Sequence, residues 1–226
     1  MAASLPPSRT IGISAELYDY VVGHASPGTD PIARALAEAT AERYPDLAGM
    51  NIGEDEGRLL MWLVQLSGAR TVVEVGTFTG MSALWLARGL PEGGTLTCFD
   101  VSAEYPEVGR PHWQRAGVAG CIDVRIGPAA EGLARLPETP HVDLAFVDAD
   151  KPGYATYLDL LLPRLSPGGF IAVDNTLWKG LVVDPSDQSE NTRAIREFND
   201  AVATRDDLDV VVLTIGDGLT LIRPRR

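Results

Sequence analysis

The sequence predicts a mostly parallel α/β sheet of seven strands preceded by a helical N-terminal third. Three observations predict it. Apolar residues recur at helical spacing through the first third of the chain. From Arg70 onward, short β-rich runs alternate with helical segments, the texture of strands joined by crossover helices. The last two runs are joined only by Gly216-Asp217-Gly218, a hairpin-length turn that puts an antiparallel pair at one edge. At 226 residues the chain is expected to be one domain with a large core, and no repeat or low-complexity linker divides it. The only internal division expected is between a helical part, 1–68, and an α/β core, 69–226.

The elements follow in order. Helices are expected at Ile13–Val22, Pro31–Arg43 and Glu54–Ser67, with Pro31 suited to a first helical turn. The strands are Thr71–Val75, Thr95–Asp100, Ile122–Ile126, Val142–Asp148, Phe170–Asp174, Asp209–Leu213 and Leu219–Arg223. Between them helices fit near Thr79–Arg88, Tyr105–Ala116, Ala129–Leu136, Tyr154–Leu165 and Thr192–Thr204.

Charge narrows the function classes. The formal net charge is −12, which disfavours nucleic acid and anionic membranes, because both demand a basic surface. The basic tail Arg223-Pro224-Arg225-Arg226 is too short to reverse this. No apolar run is long enough to span a bilayer, and MAASLPPSRT lacks the pattern of a signal peptide. Two cysteines, Cys98 and Cys121, cannot build a disulfide framework; both read as buried thiols in a reducing compartment, by default the cytoplasm. His24, His112 and His141 show no ligand spacing and read as surface or packing residues.

In an open α/β sheet, ligands bind beyond the carboxyl ends of the strands. Here those ends carry Glu74-Val75-Gly76, Asp100, Asp148 and Asp174-Asn175, polar groups a core has no use for. In EVGTFTGMSA, Gly76 and Gly80 let the backbone approach a ligand, and Asp100 is placed to accept ribose hydroxyls. The spacing is G-x-x-x-G rather than the G-x-G-x-x-G of a dinucleotide site. Glu74 would repel a pyrophosphate but suits a cationic ligand with an amino group, such as S-adenosylmethionine.

Asp148, Asp174 and Asn175 offer a hard oxygen set suited to Mg²⁺, and less selectively to Mn²⁺ or Ca²⁺. A vicinal diol such as a catechol could fill the remaining positions. The stretch FVDADKPGY also holds one of only two lysines, Lys151, against 17 arginines. An amine near a divalent cation and a sulfonium can lose its proton and act as a base; a guanidinium cannot. The plainer alternative makes Lys151 a solvated salt-bridge partner of Asp150.

These motifs together are specific. DEG at Asp55–Gly57, EVGTFTGMSALWLA, DVSAEY, GPAAEGL, FVDADKPGY, GGFIAVDNTLWKG and IGDGLTLIR resemble the cation-dependent S-adenosylmethionine O-methyltransferases of the caffeoyl-CoA and catechol type, over nearly the whole chain. The resemblance implies a doubly wound, seven-stranded, Rossmann-like class I methyltransferase sheet with its last strand antiparallel. It implies that Asp148, Asp174 and Asn175 hold the metal and that Lys151 is the base. Glu74, Gly76 and Ser82 would line the methionine and turn side of the cofactor, with Asp148 bordering it. Asp100 would take the ribose and Ala129 would lie near the adenine. Met50, Asn51 and Ile52 would close over the cofactor, and Trp178 would flank the acceptor, unless it is a core tryptophan. Asp150 is a secondary candidate for metal or cofactor. Phe78 stands where relatives often carry a tyrosine; it can pack on the cofactor but offers no hydroxyl. Val182–Phe198 matches the family only loosely, and its Arg193 and Arg196 either face an acidic acceptor or coat a helix. A small phenolic acceptor and a homodimer complete the expectation. Two rival readings stay open: a nicotinamide-dependent oxidoreductase, disfavoured by the missing third glycine and by Glu74, and a non-catalytic binding protein on the same fold.

Overall fold

The first two helices start where the sequence supplies side-chain caps. The computed structural model describes residues 11–26 and 28–225; the opening MAASLPPSRT stretch, Pro27 and the tail's Arg226 lie outside the described residues. Helix α1 (Ala15–His24) begins at Ser14, whose hydroxyl accepts the Leu17 N–H. Helix α2 (Pro31–Arg43) begins at Asp30, whose carboxylate accepts the Ile32 and Ala33 N–H groups, with Pro31 in its first turn as expected. Helix α3 (Glu54–Ser67) ends at Gly68 in the left-handed region. Asp30 also binds Arg88 at 2.7 Å, tying α2 to the helix that follows the first strand.

Seven strands then form one sheet: β1 (Thr71–Val75), β2 (Thr95–Asp100), β3 (Ile122–Ile126), β4 (Val142–Val147), β5 (Leu165–Val173), β6 (Leu208–Leu213) and β7 (Leu219–Pro224). Their order is β3-β2-β1-β4-β5-β7-β6. Strands β1 to β5 pair in parallel, and β7 runs antiparallel to both β5 and β6. The hairpin at Gly216-Asp217-Gly218 therefore sits at one edge, as its length predicts. β5 begins five residues before the expected Phe170, because Val142 pairs with Leu165 and the register shifts before Leu144 meets Phe170.

The crossover helices are α4 (Met81–Gly89), α5 (Tyr105–Arg115), α6 (Ala129–Ala134), α7 (Tyr154–Leu161) and α8 (Glu190–Ala203). Alternation along the strands sends side chains to two cores. Leu144, Phe146, Val72 and Cys98 meet Leu36, Leu60, Leu84 and Trp113 of α2 to α5 on one face. Ala145, Val147, Val73 and Val75 meet Leu133, Tyr154, Leu158 and Phe198 of α6 to α8 on the other. The sheet is thus doubly wound, and burial of each such large apolar side chain stabilises it by about 1.5–3 kcal/mol. The N-terminal helices pack on the α4 face rather than forming a separate unit.

Three expectations need correction or refinement. Cys98 is buried, but Cys121 is only half-buried and its thiol sits against the Val118 carbonyl at 3.0 Å, because it ends a turn instead of entering the strand. The tail arginines Arg223 and Arg225 both pair with Asp209, so they are spent on the sheet edge. The three histidines each place Nδ1 against a nearby backbone carbonyl (Tyr20, Val108 and Thr139), consistent with packing and surface roles. Among the described residues no helix is long and apolar enough to cross a membrane.

Candidate active site

The strand ends named above meet along one rim because β1 lies between β2 and β4, where the sheet order reverses. The turn after β1 is held tightly. Gly76 has φ 88°, and a Cβ there would overlap the Asp148 carbonyl, so only glycine lets β1 and β4 end side by side. Asp100 Oδ2 accepts the Thr77 N–H at 3.0 Å and the Phe78 N–H at 2.7 Å, while Oδ1 accepts the Ser102 N–H at 2.8 Å. Asp100 therefore braces the turn from the next strand, and that hold maintains Phe78 at φ 47°, a conformation that costs a non-glycine residue about 1–3 kcal/mol. The Phe78 ring packs on Tyr105 and Tyr44 at 5.0 and 6.1 Å.

Glu74 takes an unexpected position. It is wholly buried, on the α4 face beneath the turn rather than in the open cleft, and neither carboxylate oxygen completes a hydrogen bond. Burial pushes its pKa up to about 7, even though Ser82, Cys98 and Thr77 beside it pull the other way. Ser82 itself is buried on α4. Asn51 accepts the Thr79 hydroxyl at 3.0 Å, which ties the 45–50 turn to the glycine turn. Ile52 packs against the core, Met50 is exposed, and Ala129 opens α6 beyond the end of β3. Of the expected cofactor residues, Gly76, Phe78, Asp100 and Asp148 thus meet directly beyond the ends of β1, β2 and β4, and Asn51 reaches them through Thr79.

Beside them lies a second cluster. Lys151 is 8% exposed, which removes the solvated salt-bridge alternative. Its Nζ gives hydrogen bonds to Asp148 Oδ1 at 3.0 Å, Asn175 Oδ1 at 2.5 Å and the Tyr154 hydroxyl at 2.7 Å. Asp150 is instead bound by the Tyr157 hydroxyl at 2.5 Å. The Tyr154 hydroxyl donates its hydrogen bond to the Asp174 carbonyl at 2.9 Å, which leaves its lone pairs facing Lys151. Asp174 is buried, and Asn175 reaches the rim through a left-handed backbone at φ 57°. Burial, and then the like charge of Asp148, hold the Asp174 carboxyl above the usual carboxylate range. Trp178 is half-buried, with Lys151 Nζ 5.6 Å from its ring; it borders the lysine rather than filling the core.

The DEG motif by itself assigns no role to its central residue. Glu56, from α3, is 2% exposed, and one of its oxygens has no hydrogen-bond partner. Burial, then the charges of Asp174 and Asp148, drive its carboxyl far above the ordinary range. A carboxylate beside an apolar helix run was the only available signal. Among the described residues no three His, Cys, Asp or Glu side chains are placed to ligate one ion. The candidate set mixes two carboxylates with an amide oxygen. Two of its oxygens already share one cationic partner, Lys151, and the third, Asp174, is raised by burial and then by the like charge of Asp148, so the donors fit a hard divalent cation.

Arg196 neither coats its helix nor faces an acceptor. It points its guanidinium at backbone carbonyls of the preceding segment, whereas Arg193 stays exposed.

Comparison with known proteins places this geometry. The sequence model described as O-methyltransferase matches residues 24–225. A caffeoyl-CoA O-methyltransferase of Populus kitakamiensis is 39% identical over 227 residues, covering 96% of this chain and 97% of that protein. The O-methyltransferase TomG of Streptomyces achromogenes, involved in tomaymycin synthesis and solved with SAM, shares 30% identity at a TM-score of 0.83, over 95% of this chain and all 100% of that one. The Bacillus cereus O-methyltransferase solved with SAH shares 28% identity at a TM-score of 0.82, over 92% and 96% of the two chains. The nicotinamide and non-catalytic readings give way to these matches. With its Rossmann-like class I sheet and a sequence matched almost end to end, the chain belongs to the O-methyltransferase family and is an S-adenosylmethionine-dependent O-methyltransferase.

Proposed function

We propose that this enzyme methylates one hydroxyl of a vicinal diol, a catechol-type phenol or caffeoyl derivative, that is chelated by a divalent cation, Mg²⁺ first and Mn²⁺ or Ca²⁺ less selectively. Asp148, Asp174 and Asn175 would hold the cation, and Lys151 is the general base. The observation that carries this reading is the convergence of Asp148 Oδ1 and Asn175 Oδ1 on the buried Lys151 Nζ. When bound, the cation supplies a lowered hydroxyl pKa and a fixed acceptor orientation.

The protein side of the chemistry follows from the hydrogen bonds. An ammonium has three donors, and all three of Lys151's are committed here. With a divalent cation held by Asp148 and Asn175, Lys151 would keep Tyr154 as its partner and would have a like charge nearby. In that setting the amine would be placed to take the acceptor proton. Tyr154 keeps the amine aimed, and Trp178 supplies the apolar wall over it. On the cofactor side, Gly76, Phe78, Ser82, Asp100 and Ala129 shape the nucleoside site, while Met50, Asn51 and Ile52 border it. Glu74 favours the positive end of the cofactor from beneath the turn, through its field.

The acceptor is a small-molecule phenol; the formal charge of −12 supports neither nucleic acid nor an anionic membrane as partner. We further propose a cytoplasmic homodimer, supported by free cysteines and by the exposed apolar residues Tyr20, Trp62 and Leu66 on α1 and α3.

The test is methyl transfer from labelled S-adenosylmethionine to a panel of catechols and caffeoyl esters, with Mg²⁺ or with EDTA. Transfer abolished by EDTA and restored by Mg²⁺ is the expected result. Transfer indifferent to EDTA would make the Asp148, Asp174 and Asn175 rim structural.

A further inference from the structure

The segment that carries Trp178 is fastened from two sides. From α8, Arg196 gives hydrogen bonds to four of its carbonyl oxygens: Leu181 at 2.7 Å, Val182 at 2.9 Å, Asp187 at 2.8 Å, and Asp184. Nε, Nη1 and Nη2 all take part, so the planar fork of the guanidinium is used over its full width. From the β6–β7 hairpin, the Asp217 carboxylate accepts the Lys179 N–H and its carbonyl accepts the Leu177 N–H at 2.9 Å. Between these anchors, Trp178, Lys179 and Gly180 follow one another in the left-handed region, at φ 45°, 54° and 79°. Two of the three are not glycine, and such a run persists only where its surroundings over-determine it. At its start the Trp178 ring stands over Lys151.

We propose that Arg196 is a positioning residue for the methyl acceptor. By gathering four carbonyls on one guanidinium, it holds Trp178–Asp187 as a fixed wall beside Lys151 instead of a mobile lid. It thereby sets how firmly the acceptor is held, without touching the cofactor. The inference rests on the reading of Lys151 and Trp178 as the acceptor side. Lysine cannot replace Arg196 in this role, because its three donors radiate from one atom and cannot span four carbonyls along a bend.

The experiment compares wild type with Arg196→Lys and Arg196→Met by three readouts: amide hydrogen exchange, calorimetric SAH binding, and steady-state kinetics with a catechol acceptor. Exchange within 178–187 is expected to rise by roughly tenfold or more, with the sheet unchanged. The acceptor KM should rise by about tenfold or more while kcat stays within about threefold and SAH affinity within about twofold. In Arg196→Ala, millimolar guanidinium ion should restore part of the acceptor KM. Unchanged exchange and KM in both variants would overturn the proposal. So would faster exchange throughout the sheet with lost SAH binding, or failure of even Arg196→Lys to fold, since either makes Arg196 a general structural residue. If wild type methylates no catechol, the acceptor reading falls and takes the positioning role with it, whatever the exchange data say about the anchor.

Discussion

Replacing Glu74 by glutamine should make the cofactor-free protein relatively more stable as pH rises. The carboxyl is fully buried, without a completed hydrogen bond, and its pKa is raised by burial from 4.5 to about 7. Between those values the folded protein binds a proton that the unfolded chain has released, so folding stability falls as pH rises through this window. Below the unfolded value the carboxyl is neutral in both states and carries no penalty. Above the folded value the full penalty is present, ~3 kcal/mol from 1.36 kcal/mol per pKa unit. Glutamine keeps the shape and cannot ionise. Any constant cost of a buried amide cancels when the two proteins are compared at two pH values. At pH 5 roughly 0.8 kcal/mol of the penalty is already present, so the difference in unfolding free energy, glutamine variant minus wild type, should be ~2.5 kcal/mol larger at pH 8.5 than at pH 5. For a chain of 226 residues this corresponds to about 5 °C in Tm. Urea unfolding of both proteins at several pH values measures it. Parallel stability curves from pH 5 to pH 8.5 would refute the argument and mean that water or a rearranged Ser82 solvates the carboxylate in the folded state. The same substitution should weaken S-adenosylmethionine binding above pH 7, where only the wild type carries the charge.

Other outcomes can be checked alongside. Lys151→Arg should be nearly as damaging to kcat as Lys151→Ala, by roughly 10²-fold or more, with SAH affinity preserved in calorimetry; a largely active arginine variant would remove deprotonation as the reason for lysine. Asp174→Ala should abolish Mn²⁺ binding, read by electron paramagnetic resonance, together with activity. Unaltered Mn²⁺ affinity would contradict the proposed ligand set. Gly76→Ala should destabilise by several kcal/mol, because both the left-handed backbone and the Asp148 carbonyl oppose a Cβ; a small change in urea midpoint would show that the turn relaxes. Asp30→Asn keeps a capping oxygen but loses the charge facing Arg88, and should cost about 1–3 kcal/mol in denaturant titration.

The division between what sequence and tertiary structure each decide runs along the range of the interactions. Strand runs such as TVVEV, the Pro31 start of α2, the Gly216-Asp217-Gly218 turn and the polar strand ends are local signals. They follow from backbone sterics, side-chain alternation and the rule that ligands gather beyond parallel strand ends, so reading them requires no knowledge of partners. That is why Asp148, Lys151, Asp174 and Asn175 could be placed on one rim from sequence alone. Burial and electrostatic field are not local. Whether Glu74 faces the cleft or lies under the turn depends on how closely α4 covers β1. Glu56 enters the site only because α3 packs on α4 and points a carboxyl at a strand end far along the chain. The Asp100 carboxylate proves to be a brace for the turn as well as a strand-end charge, since β2 ends level with Thr77 and Phe78. By sequence Arg196 either faces an acceptor or coats its helix, and its four carbonyl partners exist only once a bend with left-handed Trp178 and Lys179 has formed. By itself the sequence determined which groups stand at the strand ends. Only the tertiary structure decided which of them are dry, which are paired and which share a field, because desolvation and Coulomb energy sum over neighbours from every part of the chain.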